Sequence, residues 1–278
     1  MTQDTGKFRT NLNDQFYTKI GVASECVKII LDKRPECLSW TWIEPSAGSG
    51  TFMKALPKSC EKIGIDLEPK FEGVNQGDFL KFTPVLFKKC ILFGNPPFGR
   101  QGSLAKSFIK HGSIFADTIA FILPRSFVKP SMSSAFPLTF HCIHSEELGK
   151  NSFEVNGKEY DVPCVFQIWE KRDTPRTLEV TEEPIGFRYV KSTEPFQVAL
   201  RRVGVNAGTA HENGSPSSHY FLNFDSELVS KIIQLVNLHK FPTNTTGPRS
   251  LSKPEVTKVL NQIIHVVSSD GGQKHALP

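Results

Sequence analysis

A chain of 278 residues has room for one α/β domain of roughly 150–200 residues beside a smaller companion. Its 38% apolar and 22% charged residues depart too little from globular averages to describe disorder, a coiled coil or a membrane bundle. A net charge of +5 and a pI near 8.8 permit a polyanionic partner without demanding one. Six scattered cysteines, with no C-x-x-C pair and no Cys/His cluster, argue against zinc and against a disulfide framework, and for a reducing compartment. Residues 1–10 are polar and lack the apolar core of a secretory signal. No run is long enough to span a bilayer, so an intracellular site, cytoplasmic or nucleoid-associated, is expected.

The first element expected in chain order is a helix over 21–33, where Val22, Cys26, Ile29 and Ile30 fall at helical spacing. From Trp40 to Lys171, short apolar runs alternate with amphipathic or turn-rich stretches, as in parallel strands joined by helices. Strands are expected at 40–44, 62–66, 90–94 and 118–123. The runs 140–143 and 162–169 flank a turn region at Gly157 and form a closing antiparallel pair. The expected fold is α/β, a doubly wound Rossmann-like sheet, mostly parallel. Such folds bind ligands beyond the carboxyl ends of their strands.

Composition changes after Arg172, giving a catalytic domain over 1–172 and a smaller α+β region over 173–278 for target recognition. There a Gly/Ser/Asn-rich loop covers 208–219, and a helix from about Ser226 carries Leu228, Ile232 and Val236 on one face. Another is opened by Ser252-x-x-Glu255, a capping-box pattern with Pro254 in its first turn. The last ten residues read as frayed.

Chemistry concentrates at the strand ends. Glu44-Pro45-Ser46-Ala47-Gly48-Ser49-Gly50 follows the first strand, and its glycines let backbone approach a ligand. Met53 stands where a dinucleotide fingerprint requires a third glycine, which disfavours that reading. Asp66 ends the second strand, where a carboxylate is suited to a ribose's hydroxyls, with Leu67 beside it to pack on an adenine. Asp78-Phe79 offers a ring contact and a stacking surface. Asn95-Pro96-Pro97-Phe98 follows the third strand, and consecutive prolines make it a rigid loop projecting beyond the sheet. An exocyclic adenine amine is a poor nucleophile because its lone pair is delocalised. The Asn95 side-chain oxygen and the Pro96 carbonyl can hold both of its N–H bonds and aim the nitrogen at a methyl carbon.

Taken in order, Glu44 to Gly50, Asp66, Asp78 and Asn95-Pro96-Pro97-Phe98 resemble class I amino-methyltransferases, in particular adenine-N6 DNA methyltransferases whose cofactor motifs precede the catalytic motif. Gln15-Phe16-Tyr17-Thr18 with Val22-Ala23 is similar to that family's opening motif, and the resemblance covers roughly residues 14 to 171. It implies S-adenosylmethionine as cofactor. Tyr17 and Thr18 then touch it, Glu44, Pro45, Ser46, Ala47, Gly48 and Gly50 surround its amino-acid end, Asp66, Leu67, Asp78 and Phe79 hold its adenosine, and Asn95 adjoins it. The catalytic set becomes Asn95, Pro96, Pro97 and Phe98. Phe98 and Phe153 are expected to clamp a flipped base, and Arg100 and Arg125 to meet the nucleic acid. No metal is implied. DNA is favoured over RNA, with methylation of a protein glutamine amide and a catalytically idle nucleic-acid-binding fold as alternatives. The brevity of the region after Arg172 suggests that sequence specificity is weak or that a partner subunit supplies it, and a partner subunit or a homodimer is expected.

Overall fold

The computed structural model describes residues 16–84, 89–155, 157–178, 181–227, 229–242 and 249–272; Gln15 and Leu228 lie outside them. The chain forms two compact units, Met1–Leu178 and Glu179–Pro278.

The first unit runs β1 (Tyr17–Thr18), α1 (Ile20–Lys33), β2 (Thr41–Glu44), α2 (Thr51–Ala55), β3 (Glu61–Asp66), β4 (Val74–Gln76) and β5 (Cys90–Gly94). It continues with α3 (Ser103–Gly112), β6 (Thr118–Pro124), α4 (Pro130–Ser133), β7 (Phe140–Glu147), β8 (Phe153–Val155), β9 (Lys158–Tyr160) and β10 (Cys164–Lys171). Seven strands make one sheet in the order β4-β3-β2-β5-β6-β10-β7. The first five are mutually parallel, whereas β10 is antiparallel to both β6 and β7. This is the α/β, mostly parallel Rossmann-like sheet.

Burial on both faces explains the unbroken apolar runs of its centre, since β2, β5 and β6 are buried throughout. Alternate residues separate into two cores. Trp42, Ile91, Phe93, Ala120 and Ile122 pack with Ala23, Cys26, Val27 and Ile30 of α1, while Ile43, Leu92, Ile119, Phe121 and Leu123 pack with Ala105, Phe108 and Ile109 of α3. Each Val, Leu, Ile or Phe among them contributes about 1.5–3 kcal/mol on leaving water. No helix among the described residues is long and apolar enough to cross a membrane.

The closing pair differs from the sequence expectation in two ways. β10 starts at Cys164, since Pro163 has no N–H for the ladder, and β10 lies inside the sheet while β7 takes the edge. The stretch between them folds as the β8–β9 hairpin, whose first strand pairs with β1 to make a separate three-stranded sheet, Thr18 opposite Phe153.

The first unit also extends past Arg172 to Leu178, and Arg176 supplies the reason. Its guanidinium donates to the carbonyls of Pro137, Phe140, Ser133 and Phe136 at 2.5, 2.6, 3.1 and 2.9 Å. It also lies 5.1 Å from the ring centre of Trp169, which stacks on Phe136. Polar composition marks a linker; five-donor chemistry made this one a staple.

The second unit contains β11 (Phe187–Val190), β12 (Val198–Arg201), β13 (Ala210–His211), β14 (His219–Phe224), α5 (Val229–Leu238) and α6 (Lys253–Gly272). Its antiparallel sheet, ordered β11-β14-β12-β13, covers Ile232, Val236, Val256 and Leu260 of the helices with Phe187, Val198, Leu200 and Leu222. Ser252 N and Oγ donate to Glu255 Oε2 at 2.8 and 2.7 Å and Glu255 N returns to Ser252 Oγ at 3.4 Å, the reciprocal cap that the sequence pattern calls for. α6 continues to Gly272, so the frayed stretch expected from residue 269 begins in helix; residues after Gly272 lie outside those described.

Arg176→Ala strands four carbonyls and unstacks Trp169, and should destabilise the first unit by about 1–3 kcal/mol. All three tryptophans lie in that unit, so a urea titration followed by their fluorescence reads it alone; an unchanged midpoint would refute the staple.

Candidate active site

Parallel strands ending together leave backbone groups and loop side chains converging at one edge. Here β2, β3 and β5 deliver Glu44, Asp66 and Asn95 to that edge. They are linked through the glycine loop. Ser46 Oγ donates to Asn95 O at 3.0 Å, Ala47 N to Ile65 O at 3.0 Å, and Gly48 N to Asp66 Oδ2 at 2.7 Å. Glu68 N donates to the other Asp66 oxygen at 2.8 Å, which fixes the carboxylate plane.

Asn95 is held from the N-terminal side. Its Nδ2 donates to the carbonyl of Phe16 at 3.0 Å, and that bond aims Oδ1 away, buried and without a partner. Two further buried oxygens here share that state, Thr18 Oγ1 in β1 and Glu44 Oε2 at the end of β2. An unpaired buried acceptor costs about 1–3 kcal/mol, so each such oxygen recovers stability when a polar hydrogen arrives. Glu44 is 2% exposed and abuts Gly94, where an added Cβ would meet Glu44 Cγ at 3.1 Å. Burial drives its carboxyl well above the usual carboxylate range, the Met53 amide pulling the other way and Asp66 adding to the rise.

The glycines also answer to the packing of the chain itself. At Gly50, with φ +71°, a Cβ would meet the Phe71 ring at 2.3 Å, and at Gly48, with φ +48°, it would meet the Tyr17 ring at 3.4 Å. The near neighbours of this loop are aromatic side chains of the chain itself. Tyr17 is fixed there by Lys70, whose Nζ lies 2.6 Å from its hydroxyl. A cleft of ≈ 890 Å³ opens beside it, lined among others by Thr18, Ser49, Thr51, Lys54 and Lys70.

Several assigned side chains stand elsewhere than expected. Phe98 is 4% exposed and Phe153 0%, both in the core with Trp42 and Phe93 rather than open to a base. For Phe153 the cause is β1, which pairs over β8 and sets Phe16 edge-on to its ring at 6.4 Å. For Phe98 it is the turn through Gly99 and Gly102, both left-handed, after which Leu104 N donates to Phe98 O at 3.1 Å. Phe79 is buried among Phe82, Phe108, His111 and Phe115 and offers no stacking face. Asp78 caps the short helix after it, accepting from Leu80 N at 3.0 Å. Leu67, by contrast, is exposed next to Asp66. Arg100 is exposed, and Arg125 pairs with Glu147 at 3.1 Å. Pro45, Pro96 and Ala47 are buried and Pro97 is half-buried, a rigid frame around the edge. Among the described residues no group of three or more His, Cys, Asp or Glu is placed to hold a metal.

Sequence reading overlooked Lys70, Phe71 and the Phe16 carbonyl. A backbone oxygen carries no residue signature, and Lys70 and Phe71 lie in a loop with no periodicity to mark them.

No family model and no curated protein matches the chain. Among solved structures, a "putative RNA methyltransferase" of Pyrococcus horikoshii aligns at 17% identity and TM-score 0.46, over 60% of this chain and 91% of that one. A "putative class I S-adenosylmethionine-dependent methyltransferase" of Listeria monocytogenes aligns at 13% identity and TM-score 0.44, over 62% and 65%.

The raised Glu44 pKa has a signed consequence. The folded chain holds this proton more tightly than the unfolded chain, so its contribution is complete below the ordinary value of 4.5 and is lost as pH rises toward the folded value. Glu44→Gln should therefore lessen the fall in stability as pH rises above the ordinary value of 4.5. Urea midpoints of parent and variant across that range check it, and a gap between them that does not change with pH would exclude a proton held on Glu44.

Proposed function

We propose that the chain is an S-adenosylmethionine-dependent methyltransferase acting on the exocyclic N6 amine of adenine in DNA. The observation that carries the reading is Asn95 Oδ1, a buried acceptor with no partner, locked by its own amide at the carboxyl edge of the sheet. The three unpaired oxygens and the fixed Asp66 carboxylate fit such a cofactor. Asp66 suits its ribose hydroxyls and Leu67 its adenine face, while the buried Glu44 and Thr18 oxygens suit the polar hydrogens of its amino-acid end.

Bound there, S-adenosylmethionine would supply an electrophilic methyl on a sulfonium that leaves as a neutral thioether. Everything else falls to the chain. Asn95 Oδ1 accepts one N–H of the amine, and the Pro96 carbonyl accepts the other, which orients the nitrogen lone pair toward the methyl. The nitrogen forms its new bond to carbon and then loses a proton, which is acidic only once the bond exists. No base has to act beforehand, in keeping with an edge whose nearest carboxyl, Glu44, is inclined to stay protonated.

Because Phe98 and Phe153 are packed away, the two-ring clamp belongs to a state in which a ring has left the core. A base stacked on an aromatic gains about 1–3 kcal/mol, comparable with what a phenylalanine loses on leaving.

Labelled methyl transfer to matched DNA and RNA, followed by nucleoside analysis, tests the proposal. N6-methyladenine should appear in DNA, and Asn95→Ala should lower turnover at least a hundredfold while the variant still binds cofactor, as for loss of one transition-state donor. Asp66→Ala should instead weaken cofactor binding about tenfold, the scale of a lost hydrogen bond to a charged group, measured by calorimetry. Product confined to RNA changes the substrate, and equal turnover by parent and Asn95→Ala refutes the site.

A further inference from the structure

The second unit carries a turn built more firmly than a link between two strands requires. Between β12 and β13, Arg201 N donates to Thr209 O at 2.8 Å and Gly208 N to Arg201 O at 2.7 Å, closing its base. Within it Ala207 N donates to Gly204 O at 3.0 Å, and Thr209 N and Oγ1 both donate to Asn206 O, at 3.2 and 2.8 Å. A second segment braces it from outside. Gly204 N donates to Arg249 O and Leu251 N to Arg202 O, each at 2.8 Å, and Val203 bridges to Ser250. Ala207 is buried, and Gly208, at φ +102°, lies so close to Phe241 that a Cβ would meet its ring at 2.5 Å. What this framework holds out is Val205, 92% exposed, with Asn206 exposed beside it.

A lone exposed apolar residue is ordinary on a protein surface. This one has two arginines at its base, with a pair of histidines in the neighbouring strands. The Arg201 guanidinium lies 3.6 Å from where Gly204 would carry a Cβ. Arg202 sits 5.5 Å from the ring centre of Tyr220 while donating to Ser217 O at 3.0 Å. His211 and His219, facing Ala199 and Arg201 in the ladder, have rings 5.8 Å apart. Among the described residues none of Arg201, Arg202, His211 and His219 forms an ion pair, whereas Arg188 in the same unit faces Asp225.

We infer that residues 203–209 form a projection that reads duplex DNA. The inference rests on the proposed DNA substrate and assigns the contact to particular side chains. Unpaired arginines suit phosphates, which position a protein without reading sequence. The Asn206 amide presents a donor and an acceptor together, the complement of adenine's N6 and N7 in the major groove, and Val205 suits a thymine methyl. Rigidity matters because a flexible tip would lose its freedom on binding and forfeit part of the gain. RNA duplexes bury that groove too deeply for such a tip.

The test uses the full chain and a fluorescent mixed-sequence DNA duplex, with anisotropy recorded over a range of salt and with cofactor binding and methyl transfer followed in parallel. Arg202→Ala should reduce the slope of log affinity against log salt by about 0.9, and Arg202→Lys should restore it. The double variant Val205→Ser with Asn206→Ala, whose side chains make no hydrogen bond among the described residues, should weaken binding to this duplex about tenfold with cofactor affinity unchanged. Methylation of DNA with every variant matching the parent in affinity and slope overturns the projection and leaves the methyltransferase reading standing. The expected losses without methyl transfer by the parent support the projection and overturn that reading. Binding confined to RNA overturns the projection.

Discussion

The hydrogen bond from Asn95 Nδ2 to the Phe16 carbonyl constrains this molecule more than any other contact at its edge. An asparagine amide offers donor and acceptor on one rigid plane, so committing the donor decides where the acceptor points. Phe16 can receive that donor because β1 is anchored on β8, and β8 stays in place because Phe153 is sealed in the core. The geometry at Asn95 thus depends on a small sheet outside the main one, and the buried Phe153 supports that sheet.

Electrostatics at the edge are governed by burial more than by charge. Glu44 lies where water does not reach, which favours its protonated form, while Asp66, two strand positions across, has both oxygens accepting from backbone amides. Two carboxyl groups in one loop system therefore play different parts. One is suited to offering or sharing a proton, and the other is a fixed acceptor.

Much of the central sheet was legible because its strands are buried on both faces and so appear as continuous apolar runs ended by glycine or proline, as at Cys90–Gly94 before Asn95. The capping box at Ser252 was legible because its two partners are three residues apart. Strand order was less so. That β10 inserts between β6 and β7 follows from long-range pairing that leaves no local mark. The packing of the aromatic residues was hidden for a related reason. Phe79, Phe98 and Phe153 stand beside the right motifs, but adjacency in sequence does not say whether a ring turns inward, and all three do.

The inserted position of β10 also bears on how the chain comes to be made. During synthesis β7 emerges with neither of its flanks covered, because its only neighbour in the sheet is a strand that has yet to be translated. Until Lys171 leaves the ribosome, β6 and β7 both present open ladder edges, the kind of surface that recruits wrong partners. One strand then closes both edges together, and Arg176 follows within a few residues to bind the turn beneath them. Completion of the first unit is consequently abrupt and late, with the residues that finish it encoded at its very end.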